Sequence, residues 1–281
     1  MRFDTISFLT DYGLRDEFVG VVKSVMWSIA PAVRIVDVTH DVTAHNTRAG
    51  GLALARSARY LNPGVVVAVV DPGVGSTRRA VAVEVGDGES ILVGPDNGLL
   101  APAVALVGGA TAAVDITDSP YRLEAPGPTF DGRDLFGPVG AHLCAGAALD
   151  EVGTPIDVSK LMPAVVPVSE RDGDTLRCEV LWVDRFGNAQ LNVDPDELEH
   201  AHYSMQIGDR RRPGVVATHF EALGSGEVGL ITDSNGMVAL VMNRAPAAAD
   251  LGISEGSEVH LTPSSRPGVD TAVSLSPRRE P

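Results

Sequence analysis

Residues 65–75 read Val-Val-Val-Ala-Val-Val-Asp-Pro-Gly-Val-Gly, an apolar run that stops at Asp71 and enters a glycine turn. The same pattern of an apolar run, an acidic residue and a glycine turn occurs earlier at Asp11 and later at Asp96. Near-continuous runs of Val, Ile and Leu are typical of parallel strands that are covered on both faces. Ligands of such sheets bind beyond the carboxyl ends of the strands. The sequence therefore predicts a sheet edge at which carboxylates line a cleft that binds hydroxyl groups.

Strand-like and helix-like segments alternate over the first 150 residues, which predicts an α/β domain with a mostly parallel central sheet. Strands are expected at 6–10, 33–38, 65–70, 80–85 and 91–93. Helices are expected at 16–30, 47–60, 99–107 and 134–148. Asp16 and Glu17 suit the first turn of the first helix, and Asp134 is expected to cap the last one.

The composition changes near residue 163, where prolines and a polar turn predict a domain boundary. Beyond it, residues 176–182 alternate in polarity as a half-buried strand does. Asn235-Gly236 lies between two apolar runs and is a strong hairpin signal. These features predict a small all-β second domain. We place the α/β domain at 1–165, a linker at 166–173, the second domain at 174–262 and a disordered tail at 263–281.

The formal net charge of −15 argues against a nucleic acid or an anionic membrane as partner. The two cysteines imply no disulfide framework, which fits a reducing compartment. The N-terminus turns polar too soon for a signal peptide. No apolar run approaches the roughly 20 residues that a membrane helix needs. We therefore expect a soluble, cytoplasmic protein.

Several motifs have both a structural and a functional interpretation. The loop 71–79 is a glycine-rich turn with arginines, and it is neither a Walker loop nor a dinucleotide fingerprint. Turn chemistry alone favours a structural role, whereas its position at a strand end favours a functional one. Asp131 lies in a segment, 129–134, that either caps a helix or lines a site. His200-Ala201-His202 lacks a third ligand at suitable spacing, so no metal site is predicted.

Taken together, the motifs resemble the S-adenosylmethionine (SAM) hydroxide adenosyltransferases, relatives of the fluorinase and the chlorinase. The resemblance runs in order over residues 5–260, and no single motif accounts for it. The matching segments are 10–13 with Asp16, 71–78, 94–100, 129–134, 186–188 and 234–236.

The resemblance implies an α/β domain joined to a β-barrel-like domain, in a homotrimer whose substrate lies between neighbouring subunits. It implies hydrolysis of SAM to adenosine and methionine, with SAM as substrate and no cofactor. The implied substrate-binding residues are Asp11 for the ribose, Asp16 and Asp184 for the ammonium, Ser234 and Asn235 for the carboxylate, Asn188 and the backbone near Arg244 for adenine, and Phe130. The implied catalytic residues are Asp71 and Arg78, with Asp131 at the third position.

The chain departs from the family at Asp131, where the hydrolases have histidine. The hypothesis drawn from this difference is that Asp131 and Asp71 converge, that their like charges raise the pKa of one carboxyl, and that an incoming halide is repelled. It predicts that Asp131→His raises the hydrolytic rate. Gly132 and the lack of the fluorinase insertion favour a hydrolase over a fluorinase. Two alternatives stay open, a chloride adenosyltransferase and a catalytically weak SAM-binding or adenosine-binding protein.

Overall fold

The computed structural model of the chain describes residues 3–265. The chain separates into two compact units between Val166 and Pro167. The predicted tail at 263–281 lies outside the described residues from residue 266 onward, while Pro263 is the last residue of a strand. The predicted linker 166–173 includes a short strand at 170–172, so part of it belongs to the second unit.

Unit 1, residues 3–166, is built on a seven-stranded sheet with the order β2-β1-β3-β5-β4-β6-β7. Its strands are β1 Thr5–Thr10, β2 Arg34–Thr39, β3 Val65–Val69, β4 Ala80–Val85, β5 Ser90–Pro95, β6 Ala110–Asp115 and β7 Thr154–Ile156. The residues of β1 and β3 are all buried because helices cover both faces of the sheet.

The sheet is mixed, so the prediction of a mostly parallel sheet was wrong. β1 pairs in parallel with β2 and β3, and β3 pairs in parallel with β5. The pairs β4–β5, β4–β6 and β6–β7 are antiparallel. A short glycine turn at 86–89 joins β4 directly to β5, and such a turn has no room for the crossover that a parallel pair requires. An apolar run identifies a buried strand but not its direction.

Five helices of unit 1 cover the sheet. They are α1 Phe18–Ile29, α2 Thr47–Ala58, α3 Ala101–Leu106, α4 Gly137–Ala145 and α5 Leu149–Val152. Among them, α1 packs against α4 and α2 packs against α3. α1 and α4 contribute Val22, Met26 and Val139 to one apolar core, whereas Leu54 of α2 and Ala103 of α3 lie in the other.

Two helix starts differ from the predictions. α1 begins at Phe18, so Asp16 and Glu17 precede the helix instead of forming its first turn. Ahead of α4, residues Gly132–Phe136 form a π-helical turn, and Asp134 lies inside this turn with its carboxylate bound to Arg133. Asp134 is therefore not a cap. Single π turns are frequent at functional sites.

Unit 2 is a β-barrel, which confirms the barrel-like domain that the resemblance implied. Its strands are β8 Glu170–Asp172, β9 Thr175–Val183, β10 Ala189–Leu191, β11 His202–Ile207, β12 Arg210–Val216, β13 Val228–Thr232, β14 Val238–Met242 and β15 Glu258–Pro263, and its helix is α6 Ala247–Leu251. The order β10-β14-β13-β12-β11-β15-β9 closes through a β9–β10 pairing, and β8 extends from β9. The β13–β14 hairpin lies where Asn235-Gly236 predicted it.

Within residues 3–265, no helix is long and apolar enough to span a bilayer.

Candidate active site

A cavity of about 590 Å³ opens beyond the carboxyl ends of β1 and β3. Four of the predicted site residues line it, namely Asp11, Asp71, Phe130 and Asp131. Because β1 and β3 are parallel neighbours, the side chains that follow them reach the same edge of the sheet. The cavity therefore lies at the edge that the apolar runs predicted.

Asp71 and Arg78 form a two-pronged ion pair at the base of this cavity. Arg78 Nε donates to Asp71 Oδ1 at 3.0 Å, and Arg78 Nη2 donates to Asp71 Oδ2. Both side chains are nearly buried, and the Arg78 guanidinium also lies over the Phe136 ring. Arg78 is not among the lining residues, whereas Asp71 is. The pair thus presents its carboxylate, not its guanidinium, to the cavity.

Asp131 converges on the same arginine. Arg78 Nη2 donates to Asp131 Oδ2 at 2.9 Å, so one nitrogen bridges the two carboxylates. The other oxygen, Oδ1, accepts a hydrogen bond of 2.8 Å from Arg122 Nη1. Asp131 is only 6% exposed. The expected convergence of Asp71 and Asp131 is present, and a second arginine accompanies it.

The environment raises the pKa of two side chains at the site, those of Asp71 and Tyr12. The pKa of Asp71 is raised above the ordinary aspartate value, chiefly by burial and in part by the negative charge of Asp131, while Arg78 opposes the shift. The pKa of Tyr12 is also raised, by burial and by the carboxylates of Asp11, Asp71 and Asp131. Tyr12 therefore stays a neutral phenol, and Asp71 is a better proton acceptor than a solvated aspartate.

Asp11 is held by the loop that follows β2. Its Oδ2 accepts a hydrogen bond of 2.9 Å from the backbone amide of His45. His45 has a φ of 65°, a left-handed conformation that is uncommon for residues other than glycine and that clusters at functional sites. Gly13 N donates to His40 O at 2.7 Å and fixes the other side of the turn. Asp11 is thus oriented at the cavity wall, and its Oδ1, which accepts no hydrogen bond from residues 3–265, can accept one from a ligand hydroxyl.

Three aromatic rings form one wall of the cavity. Tyr12, Phe18 and Phe130 meet edge to face, with ring centroids 5.1–6.0 Å apart. A β-carbon on Gly132 would lie 2.2 Å from the Tyr12 hydroxyl, so the tyrosine fills the space that a side chain at 132 would need. The absence of a side chain at Gly132 is therefore a steric requirement of this wall.

Asp16, a predicted substrate-binding residue, and Asp96, which is not among the predicted site residues, lie elsewhere. Asp16 borders a shallow, open groove along α1 instead of the cavity. Asp96 accepts from Arg79 Nε at 2.9 Å and from Met162 N at 2.8 Å, and it lines a separate apolar cavity. Only two of the three strand-end aspartates therefore reach the site.

In unit 2, Asp184 organises the turn that bears Asn188. Asp184 Oδ1 accepts from the amides of Phe186 and Asn188, both at 2.9 Å. Its Oδ2 accepts from Asn188 Nδ2 at 2.8 Å. Because the carboxylate binds the amide nitrogen, the Asn188 side-chain oxygen is not needed for this contact, and an amide oxygen can accept from an amino group.

The remaining predicted residues of unit 2 lie at two ends of one strand. Ser234 and Asn235 belong to the turn before β14, which Asp233 fixes by accepting from Asn235 N at 2.8 Å. Arg244 follows β14, is exposed, and has a φ of 55°. The Asn188 turn adjoins this second end, because Gly187 O accepts from Ala248 N at 2.8 Å. The structure thus groups Asn188 with Arg244 and separates them from Ser234 and Asn235.

Both units match a known family over most of their length. Residues 6–153 match the SAM hydroxide adenosyltransferase N-terminal domain, and residues 178–260 match the C-terminal domain. The chain belongs to the SAM hydroxide adenosyltransferase family.

Relatives named as hydrolases are the more similar members. The chain is 42% identical to "(R)-S-adenosyl-L-methionine hydrolase" of Salinispora tropica, over 92% of this chain and 97% of the relative. It is 35% identical to the protein of the same name from Thermus thermophilus, over 91% and 98%. A fluorinase from an Actinoplanes species is 28% identical over 92% and 97%. An uncharacterised conserved protein from Thermotoga maritima has a crystal structure that superposes with a TM-score of 0.84 at 31% identity, covering 92% of this chain and all of that one.

In this adenosyltransferase-family chain, sequence reasoning missed four residues at the site: Tyr12, Phe18, His45 and Arg122. Tyr12 lies inside the matching segment 10–13, so its place after a buried strand was a usable signal. The role of His45 rests on its backbone amide, which the residue type does not reveal. Arg122 lies in an irregular segment after β6, and nothing near it in the sequence indicates its contact with Asp131.

Proposed function

We propose that this chain hydrolyses SAM to adenosine and L-methionine. The observation that supports this reaction best is the cavity whose wall bears Asp11 and whose base bears the Asp71–Arg78 pair. A ribose held through its hydroxyls by Asp11 would direct its 5′ carbon toward Asp71. The names of the similar relatives agree with this substrate and this reaction.

The reaction is a displacement at the ribose C5′. The water oxygen forms a bond to C5′ while the C5′–S bond breaks. The electron pair of the broken C5′–S bond stays on sulfur and gives the neutral thioether of methionine. The water proton passes to the Asp71 carboxylate and then to solvent. Arg78 holds Asp71 in place, and a fixed, partly desolvated water next to a positioned carboxylate accounts for the catalysis.

No cofactor or general acid is part of this proposal. A sulfonium leaves as a neutral molecule, so the departing methionine does not need a proton. The chemical demand falls on activation of the water, which Asp71 meets through its raised pKa.

For the substrate, we propose that adenine binds to the side-chain oxygen of Asn188 and to the backbone near Arg244. Asp184 holds the Asn188 side chain in place. Ser234 and Asn235 remain the predicted ligands of the methionine carboxylate, and Asp16 and Asp184 those of its ammonium. Phe130 packs against the ligand from the aromatic wall.

We also propose that the enzyme is a homotrimer in which unit 1 of one subunit and unit 2 of its neighbour share each substrate. The proposal can be tested by mixing two inactive variants, Asp71→Asn and Asn188→Ala. Mixed trimers would then contain some sites with neither change, so activity is expected to return after subunit exchange. Mixtures that stay inactive although exchange is demonstrated would contradict shared sites.

A cytoplasmic location is part of the proposal, as is the absence of nucleic-acid and membrane partners. It is supported by the net charge of −15 and by Cys144 and Cys178, which are buried free thiols. Burial raises the pKa of both thiols to about 12, so neither is a reactive thiolate.

One assay tests the reaction. The purified chain is incubated with SAM, with and without chloride, and the nucleoside product is identified by chromatography. Adenosine as the product under both conditions supports hydrolysis. A 5′-chlorinated nucleoside would instead identify a halide adenosyltransferase, and calorimetric binding without turnover would identify a binding protein. The three carboxylates that line the cavity, those of Asp11, Asp71 and Asp131, disfavour a bound halide, so we expect adenosine.

A further inference from the structure

The Asp131 carboxylate is enclosed by two arginines from different parts of unit 1. Arg78 belongs to the loop between β3 and β4, and Arg122 follows β6. Their contacts to the two Asp131 oxygens are 2.9 Å and 2.8 Å long. Each Asp131 oxygen therefore accepts from an arginine.

Arg122 is fixed by the backbone at the edge of the sheet. Its Nε and Nη2 both donate to Thr117 O at 3.3 Å. The Thr117 hydroxyl accepts from the amide of Ala80, the first residue of β4, at 3.0 Å. Since Arg78 precedes β4 closely, both arginines are anchored to one corner of the sheet. This anchoring holds Arg122 in place although its side chain is one-third exposed.

The charges of this cluster balance. The carboxylates of Asp71 and Asp131 carry two negative charges, and the guanidinium groups of Arg78 and Arg122 carry two positive charges. Without Arg122, both carboxylates would share Arg78, and one buried negative charge would be uncompensated. Without Asp131, the positive charge of Arg122 would be uncompensated at the same place.

We propose that Arg122 is a positioning residue of the hydrolytic site, which holds Asp131 against Arg78 and cancels its charge so that Asp71 stays the proton acceptor. The proposal rests on the proposed function. It makes Arg122 and Asp131 a functional pair, so that changing one member has the opposite electrostatic effect to changing the other.

The charged groups that face Asp71 determine the direction in which each substitution shifts its pKa. Arg78 and Asp131 act on it most directly. The other ionisable side chains on the cavity wall are Asp11, Tyr12, His45 and Arg133. Loss of Arg122 exposes Asp71 to the full charge of Asp131, so protonation of Asp71 extends to higher pH. Loss of the Asp131 charge leaves Arg122 in excess, so protonation of Asp71 is confined to lower pH.

The test compares Arg122→Gln, Asp131→Asn and the double variant. The acidic limb of the kcat/KM profile should move up by about half a pH unit in Arg122→Gln and down by a similar amount in Asp131→Asn. In the double variant, the two shifts should cancel to within about 0.2 pH unit. Arg122→Lys, which keeps the charge, should restore the wild-type limb. Arg79→Gln is the matched control, because Arg79 pairs with Asp96 away from the cavity, and it should leave the limb unmoved.

A role for Arg122 in loop structure alone predicts a different result. Both single variants would then lose activity and thermal stability at every pH with no shift of the limb, and that outcome would overturn the proposal. A carbon-13 titration of the Asp71 carboxyl, assigned with Asp71→Asn, measures the same shifts without turnover. Opposite shifts in this titration would support the pair even if the chain failed to hydrolyse SAM. An Asp71 titration that is unshifted in the variants would reject the functional pair even if the chain hydrolysed SAM.

Discussion

Asp71 and Asp96 each form an ion pair with an arginine at one corner of the sheet, but the two pairs have different roles. Each aspartate follows a buried parallel strand, and the partners are the consecutive arginines Arg78 and Arg79. Asp96 accepts from a backbone amide with its second oxygen, and Arg79 Nη2 donates to Lys160 O at 2.6 Å. These contacts of the Asp96–Arg79 pair join it to the backbone at residues 160 and 162, so its role is to stabilise the fold. The Asp71 pair instead faces the cavity and shares its arginine with a second carboxylate.

An Asp–Arg pair at a strand end is therefore not evidence of a site by itself. What distinguishes the Asp71 corner is that Arg78 also binds a second carboxylate, Asp131, and that both carboxylates line the candidate cavity. The Asp96 corner ties residues 160–162, the last stretch of unit 1, to the sheet.

Asp71→Asn should lower kcat by about 100-fold or more, because general-base catalysis typically contributes 10²–10⁴-fold. The amide keeps the shape of the side chain and cannot accept the water proton. Turnover of saturating SAM measures the effect, with calorimetric binding of adenosine as the control for an intact site. A kcat within a few-fold of the wild type would remove Asp71 from the proton-transfer step.

Asp11→Asn should raise KM for SAM by about 10- to 100-fold, since a charged hydrogen bond is worth about 1.5–3 kcal/mol. The strand-end position is the same as that of Asp71, but the predicted task is binding, so kcat should change less than KM. Steady-state kinetics separate the two parameters. A fall in kcat with an unchanged KM would assign Asp11 to the chemical step instead.

Asp96→Asn should destabilise the chain by about 1–2 kcal/mol and lower Tm by about 2–8 °C. This loss of stability is smaller than for a fully buried pair, because the Arg79 side chain is 29% exposed. Calorimetric melting measures the loss, and kcat below the transition should stay within about two-fold of the wild type. A kcat loss like that of Asp71→Asn, without a change in Tm, would make the two corners equivalent.

The wild-type kcat/KM profile should lose activity on acidification at a pH above the ordinary aspartate pKa of about 3.9. The direction follows because a raised pKa keeps Asp71 protonated to higher pH, and the protonated carboxyl cannot accept the water proton. Initial rates across the acidic range measure the limb. A limb at or below the ordinary aspartate value would mean that another group accepts the proton.

Local patterns in the sequence predicted much of the fold and part of the site. Apolar runs ending at Asp11 and Asp71 placed β1 and β3 to within about a residue, since burial on both faces leaves a direct trace in composition. The antiparallel direction of the β4–β5 pair has no such signal in the composition of the strands. The π-helical turn at Gly132–Phe136 was also missed, because it depends on packing around it.

The nonlocal contacts of the site had the weakest signals. Gly132 has to lack a side chain because Tyr12, far away in sequence, fills the space. Asp131 was recognised as unusual only through the family resemblance, and its compensation by Arg122 became visible only in three dimensions. Residue type predicts what a group can do, whereas the fold decides which charge stands beside it.

The hairpin of β4 and β5 has a consequence for the order in which the site assembles. Its strands are joined by a four-residue turn, and Arg79 and Asp96 close its open end, with Arg78 next in the chain. Hairpins form within about 1–10 μs, whereas parallel pairing between strands distant in sequence requires slow closure of long loops. We therefore expect early, local contacts to place Arg78, and Asp131, 53 residues further along, to reach it later in folding.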